Sequence, residues 1–323
     1  MMTILNPDDD LMQKVSLGDR LFELMSNQIY IFSDVTLPAG TVIRGNNATI
    51  KAGAKNKPVF NIHTNNIHIQ GCNFVGQDTP INNEAYNKDH FAIKIAAGVN
   101  VRITQNSFAN FSGGGVGLIG LESDEYMYYS ALITENLFQL CYIAVLWTGR
   151  YEFGRFINNR IYRCRVGIWD EAGNWSVNSN KITACRNPYI STNKAIDFAA
   201  NNIKAFSANS AHGTFVGNEC NHANDIGSTI WTINADIPLI SGESYKPGNS
   251  GIIFDGVLPP TVTGLTLYYC NVTMRNRPQM EHASKLVGVV ASTMNFSADK
   301  AGIMEVVALT AHTKVMLRNV KAT

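Results

Sequence analysis

The sequence predicts an all-β solenoid: short coils stacked on one another, their strands pairing in parallel, with a helical cap before the stack and a small β-rich module after it. Three observations predict it. The first is a recurring phrase of apolar residue, two residues, turn residue, one residue, apolar residue. Its turn residue is Asn46, Cys72, Asn106, Asn136, Asn159, Asn180, Asn218 and Cys270. Ile43, Ile69, Ile103, Ile133, Phe156, Val177, Phe215 and Leu267 stand three before, and Ala48, Phe74, Phe108, Phe138, Ile161, Ile182, Cys220 and Val272 two after. The second is the spacing of these anchors, 26, 34, 30, 23, 21, 38 and 52 residues. A coil of roughly 20–25 residues with insertions in some copies accounts for it. The third is alternation, as in Asn159-Arg-Ile-Tyr-Arg-Cys-Arg and its successor Asn180-Lys-Ile-Thr-Ala-Cys-Arg, the period-two pattern of half-buried strands.

Residues 1–34 form the cap. Leu11, Met12, Val15, Leu21, Leu24 and Met25 suit short helix on either side of Gly18, which would cover the open end of the stack. Residues 35–274 are the solenoid, opening on Leu37-Pro-Ala-Gly-Thr-Val-Ile43 with a Pro-Gly turn between two strands. Stacking puts Phe138, Ile161 and Ile182 inside and Tyr142, Arg165 and Arg186 outside. The anchor asparagines suit left-handed backbone, and their amides can bond the copies above and below. Insertions fall at Gln77–His90, Ser112–Tyr129, Ser191–Ser210 and His222–Ser250, where binding and chemistry concentrate on a rigid scaffold. Residues 275–323 read as strands that close the stack or join subunits.

A net charge of +1, from 26 basic and 25 acidic side chains, argues against nucleic acid as a partner, and no apolar run is long enough to span a bilayer. The amino-terminal stretch Met1–Asp10 lacks the pattern of a secretory leader. Sequons at Asn47, Asn110, Asn174, Asn271 and Asn295 therefore read as turn chemistry. Cys141, Cys164 and Cys185 each fall five residues after an anchor, so they stack inward as packing residues, not as disulfides or zinc ligands. No cofactor or metal is implied. His212 and His222 around Glu219 read as structural, and Gly115, Gly117 and Gly120 as a flexible turn, since no helix follows them.

The phrase Val35-Thr-Leu-Pro-Ala-Gly-Thr-Val-Ile-Arg-Gly45, the anchor columns and the copies around Asn159 and Asn180 resemble the right-handed, single-stranded parallel β-helix of the pectate-lyase-like superfamily. Bacteriophage tailspikes and tail-fibre proteins are the most similar branch. That resemblance implies a homotrimer on the virion, attached to other tail proteins, that binds and in some cases cleaves a host surface polysaccharide, O-antigen or capsule. Two other readings stay open: a stand-alone, extracellular bacterial polysaccharide lyase or hydrolase, and a non-catalytic virion spacer.

Sugar recognition needs flat aromatic faces beside polar groups. Trp147-Thr-Gly-Arg150-Tyr151-Glu and Trp169-Asp170-Glu171-Ala-Gly-Asn-Trp175 supply both in consecutive copies, making Trp147, Arg150, Tyr151, Trp169 and Trp175 candidates for carbohydrate binding. Glycoside hydrolysis needs two carboxyl groups about 5–9.5 Å apart; Asp170, Glu171, Glu122 and Asp124 are the candidates, with solvated loop charge as the competing reading. Arg160, Arg163, Arg165, Arg186 and Lys181 form a basic strip on the outer face.

Overall fold

The computed structural model describes side chains through residue 185, except at 1, 79–85, 120–128, 149–150, 152–153, 171–174 and 184; beyond 185 it describes the strands by their backbone. Met1–Arg165 and Val166–Thr323 form two compact units. Each is built from coils of three strands, the strands of a coil pairing in parallel with their counterparts one coil on. The protein is a parallel β-helix.

In the first unit the first ladder runs through Thr3–Leu5, Leu21–Leu24, Val42–Arg44, His68–Gln70, Val101–Thr104, Ala131–Thr134 and Arg155–Ile157. The second runs through Ile29–Phe32, Thr49–Ala52, Asn73–Val75, Ser107–Ala109, Leu137–Gln139 and Arg160–Tyr162. The third runs through Val35–Leu37, Phe60–His63, Phe91–Ala97, Gly114–Ile119 and Ile143–Thr148.

The predicted columns are core columns. Ile43, Ile69, Ile103, Ile133 and Phe156 line the first ladder with at most 1% exposure. Phe74, Phe108 and Phe138 stack inside the second, with ring centroids 5.1 and 4.8 Å apart and nearly parallel planes, a geometry that adds about 0.5–1.5 kcal/mol per pair beyond burial. Cys141, Cys164 and Cys185 are buried in the interior; burial raises the Cys141 thiol well above its ordinary range, which suits packing better than reactivity.

The anchor asparagines form a hydrogen-bonded ladder. Asn106 N donates to Asn136 Oδ1 at 2.9 Å, and Asn136 N to Asn159 Oδ1 at 3.0 Å. The Nδ2 groups of Asn106, Asn136 and Asn159 donate to the carbonyls of Ile69, Ile103 and Ile133. These side chains are not in the left-handed region; the residue before each is. Gly71, Gln105, Glu135, Asn158 and Ser179 have φ between 55° and 70°. The preceding residue makes the bend, and the anchor's amide replaces the ladder bonds that the bend breaks.

Several expectations are corrected. A helix, Leu11–Ser16, precedes Gly18, with Asp10 capping it through bonds from Met12 N and Gln13 N. After Gly18 there is strand instead: Leu21–Leu24 alternates with Phe22 and Leu24 buried, and pairs with Thr3–Leu5. Ile50, not Ala48, aligns with Phe74, because Asn46 and Asn47 are both left-handed and lengthen that turn. Tyr142 is buried, not outside: the Tyr86 ring lies 5.3 Å from it and the Arg165 guanidinium 4.9 Å. Gly114–Ile119 is a strand and not a flexible turn; a Cβ at Gly114 or Gly117 would meet the Phe91 ring at 2.5 or 2.9 Å.

In the second unit, Val177 pairs with Phe215 and Ile182 with Cys220, as the anchors require. The stretch after His222 holds a further coil. Leu239–Ser241 and Ser244–Lys246 pair with Gly213–Val216 and Glu219–Asn221, a copy that an Asn-based pattern does not show. Leu267 pairs with Tyr245, so it belongs to the second ladder and does not stand three before an anchor at Cys270. Cys270 opens a different strand, Cys270–Asn276, paired with Ser250–Phe254. Inside the insertion at Ser191–Ser210, Ile196–Phe198 pairs antiparallel with Asn201–Ile203. Parallel pairing continues through Ser284–Val287, Val290–Val307 and Thr310–Lys321.

Candidate functional site

The aromatic candidates are not presented to solvent. Trp147 stands in the column Leu37, Ile62, Ile95, Leu118, Trp147. That column faces inward, because the alternate positions Thr36, Asn61 and Lys94 remain at least partly exposed. Trp147 is 0% exposed and packs 6.0 Å from the core Phe156 ring. Tyr151 is buried 5.2 Å from Tyr129, and burial followed by that neighbour raises its phenol. In the second unit Trp169 sits in Val166–Asp170, paired with Ile190, and Trp175 opens Trp175–Asn178, paired with Gly213; both are buried. Rings without a free face cannot stack on a sugar, so these four are core residues here. Asp170 is likewise buried at 1% exposure. Arg150, Glu122, Asp124, Glu171, Arg186, His212 and His222 lie outside the described residues.

The outer face of the first ladder is different. The residues four before each anchor, Val42, His68, Arg102, Leu132 and Arg155, form one outward column, and those two before, Arg44, Gln70, Thr104, Thr134 and Ile157, form the next. From Val42 to Ile157 neither column contains a carboxylate, the nearest in register being Glu23 beside Arg44 at the amino-terminal end, while Arg44, His68, Arg102 and Arg155 supply cationic or titratable groups. A cleft of about 260 Å³ opens here, lined by Asn100, Val101, Arg102, Ser130, Ala131, Leu132 and Arg155.

Arg102 is held in place. Its Nε donates to Asn100 Oδ1 at 3.1 Å, and Asn100 is anchored through Nδ2 to Asn66 Oδ1 at 2.9 Å. His68 Nε2 lies 2.9 Å from Thr104 Oγ1; burial, then the positive fields of Arg102 and Arg44, lowers its pKa and keeps the imidazole neutral near pH 7. No local cluster in the sequence marks this face, because each copy contributes single side chains to it. The signal was present in the anchors, counted four residues back.

A second polar group ties an insertion to the coils. His90 Nδ1 lies 2.8 Å from Ser112 Oγ, Ser112 Oγ donates to Asp78 Oδ2 at 3.0 Å, and Lys55 pairs with Asp78. The imidazole is fully buried. Burial lowers its pKa against the opposing pull of Asp78, and Lys55 adds to the lowering. Burial alone would raise Asp78, but bonds from Lys55 and Ser112 prevail and hold its carboxyl below the ordinary range. This arrangement is unlike a nucleophilic triad, in which the histidine stands between serine and carboxylate. Here the serine bridges the other two, and the backbone N of Ser112 also donates to Nδ1. Asn87 Nδ2 donates to Lys55 O, and Gln77 Nε2 to Ala52 O, so the cluster fastens the ends of the insertion at Gln77–His90.

No protein-family model and no curated protein matches the chain. Among solved structures it is similar to the A-module of the mannuronan C-5 epimerase AlgE6 from Azotobacter vinelandii. The identity is 10%, over 97% of this chain and 93% of that one, with a TM-score of 0.45.

Proposed function

We propose that this protein is a bacteriophage tailspike or tail-fibre protein that binds a host cell-surface polysaccharide. The observation that carries the proposal is the cleft between Arg102 and Arg155 on the outer face of the first ladder. It follows one column of side chains, Arg102, Leu132 and Arg155, across three successive coils, a form suited to a segment of an extended polymer. Its floor is backbone locked into a parallel sheet, so little conformational freedom is lost on binding. Asn100 and Ser130 offer hydrogen bonds to hydroxyls, and half-exposed Leu132 offers an apolar patch between them.

The viral assignment rests on the resemblance of the coil phrases and on a polar surface rich in asparagine. With it come the proposals of a homotrimer, of attachment to other tail proteins and of location on the virion. Incubating the purified protein with an array of bacterial O-antigens and capsules, and following both retention and oligosaccharide release, tests the reading. Retention without release identifies an adhesin, and retention with release an endoglycosidase. Neither would favour a structural spacer and end the proposal.

A further inference from the structure

We infer that the face between Arg102 and Arg155 takes a polyanionic glycan, lying along the solenoid axis with acidic groups on non-adjacent sugars. This rests on the glycan-binding reading above and specifies its ligand. Arg102 pairs in register with Leu132, and Leu132 with Arg155. The two arginines are therefore two coils apart, about 10 Å at the ordinary spacing of paired strands. That is on the scale of a disaccharide step in an extended glycan, so carboxylates or phosphates on alternate sugars would reach successive guanidinium groups. The sugar between them would rest its apolar face on Leu132.

The charges on this face are uncompensated. Among the described residues neither Arg102 nor Arg155 has an ion pair; the acids that do pair, Asp34, Asp78 and Asp89, bind Lys57, Lys55 with His90, and Lys94 elsewhere on the unit. The outward columns hold no acid from Val42 to Ile157. The nearby Glu135 sits at the turn, where its carboxylate accepts from Gln105 Nε2 at 2.9 Å. For a chain of net charge +1, a stretch of outward columns that carries Arg102, held by Asn100, and Arg155 without an acid between them is a local concentration of positive potential. Arginine also suits the ligand, since its planar fork can hold a carboxylate or phosphate through two parallel bonds. Nucleic acid is the less favoured polyanion. The described part of the face presents no aromatic ring for base stacking.

The test compares acidic bacterial capsular polysaccharides, the same polymers after carboxyl reduction or dephosphorylation, neutral O-antigens and single-stranded DNA, on the full chain and its R102Q and R155Q variants. Both residues are exposed, and thermal unfolding verifies that the variants are folded. The expected result is binding to one or more acidic polymers that falls at least tenfold on neutralisation. Either substitution should weaken it several-fold, as should raising the salt from 50 to 200 mM. Neutral glycans bound as well as acidic ones, unchanged affinity after neutralisation, equal binding of DNA, or normal binding by both variants would each overturn the inference while leaving glycan binding in place. Binding to no glycan at all would remove the underlying reading, and the inference with it.

Discussion

The first and third ladders of Met1–Arg165 are built from the same parallel pairing, yet they meet solvent in opposite ways. The first alternates: core isoleucines and phenylalanine inward, and His68, Arg102, Leu132 and Arg155 outward. The third is alternating only at its start. From Gly114 onward its strands are buried on both faces almost throughout, and Leu146, which the register sets opposite Gly117 and Lys94 in an outward column, is only 4% exposed. A ladder with an open face can offer a surface to a long ligand. One closed on both sides contributes stability and holds its polar groups in networks.

The largest test of this contrast is to remove a side chain from each ladder. Trp147→Ala empties an inward position of the third ladder and should cost about 3–5 kcal/mol, within the range for large core aromatics. Leu132→Ala, on the open face, should cost about 1 kcal/mol or less, because little of its surface leaves water. Denaturant unfolding midpoints read both. Equal losses would mean that the open face is itself packed.

The asparagine ladder should come next in size. Asn136→Ala removes the acceptor for Asn106 N and the donor to Ile103 O, and each buried group left unpaired costs about 1–3 kcal/mol. Asn46 occupies the corresponding place in the first copy but is exposed, with Nδ2 donating to Glu23 Oε1 and Leu24 O. Asn46→Ala leaves no buried group unpaired and should cost less, about 1 kcal/mol, chiefly because alanine is disfavoured at the left-handed backbone of Asn46. A common penalty at the two positions would show that the turn, and not the buried ladder, sets the value of the motif.

The contrast also explains what the sequence made legible. The inward columns could be read because their apolar residues recur at fixed distance from a turn residue of distinctive chemistry, and the amide ladder follows from that recurrence. Where the asparagine phrase is absent, as between Leu239–Ser241 and Ser244–Lys246, the copy disappears from view although its strands pair like the others. The aromatic candidates misled for a related reason. Tryptophan, tyrosine and acid lying together resemble a sugar site, but in the third ladder both strand faces are buried, so alternation no longer separates inside from outside. Arg102 and Arg155 lie in separate copies and become neighbours only after the coils are stacked.

The next effect is pH-dependent. The pKa of His90 is lowered in the folded protein by burial, with Asp78 pulling the other way and Lys55 adding to the lowering. Above about pH 6.5 neither folded nor unfolded chain carries the proton. As the pH falls through that value the unfolded chain binds it first, and stability declines, by at most about 1.4 kcal/mol per pH unit for one such group, until the folded pKa is reached. Asp78 works in another window: its lowered pKa contributes stability that is full above its unfolded value of 3.8 and is lost as the pH falls from there towards the folded pKa. Unfolding midpoints from pH 8 to 5 should therefore fall, and H90Q should flatten the profile. His68, also lowered, contributes in the same direction and remains in that variant.

The smallest expected change in stability is also the most diagnostic. Arg102→Gln on the open face should alter stability by no more than about 0.5 kcal/mol, since it removes an exposed cation that has no ion pair among the described residues, and one bond to Asn100. Relief of repulsion with its cationic neighbours offsets part of that loss. The same substitution should raise the pKa of His68, because Arg102 is the second cause of its lowering after burial, and NMR titration of the imidazole reads that shift without any ligand. An unchanged titration would mean that Arg102 does not project its charge along the column. The open face would then be a set of separate side chains and not a continuous positive surface.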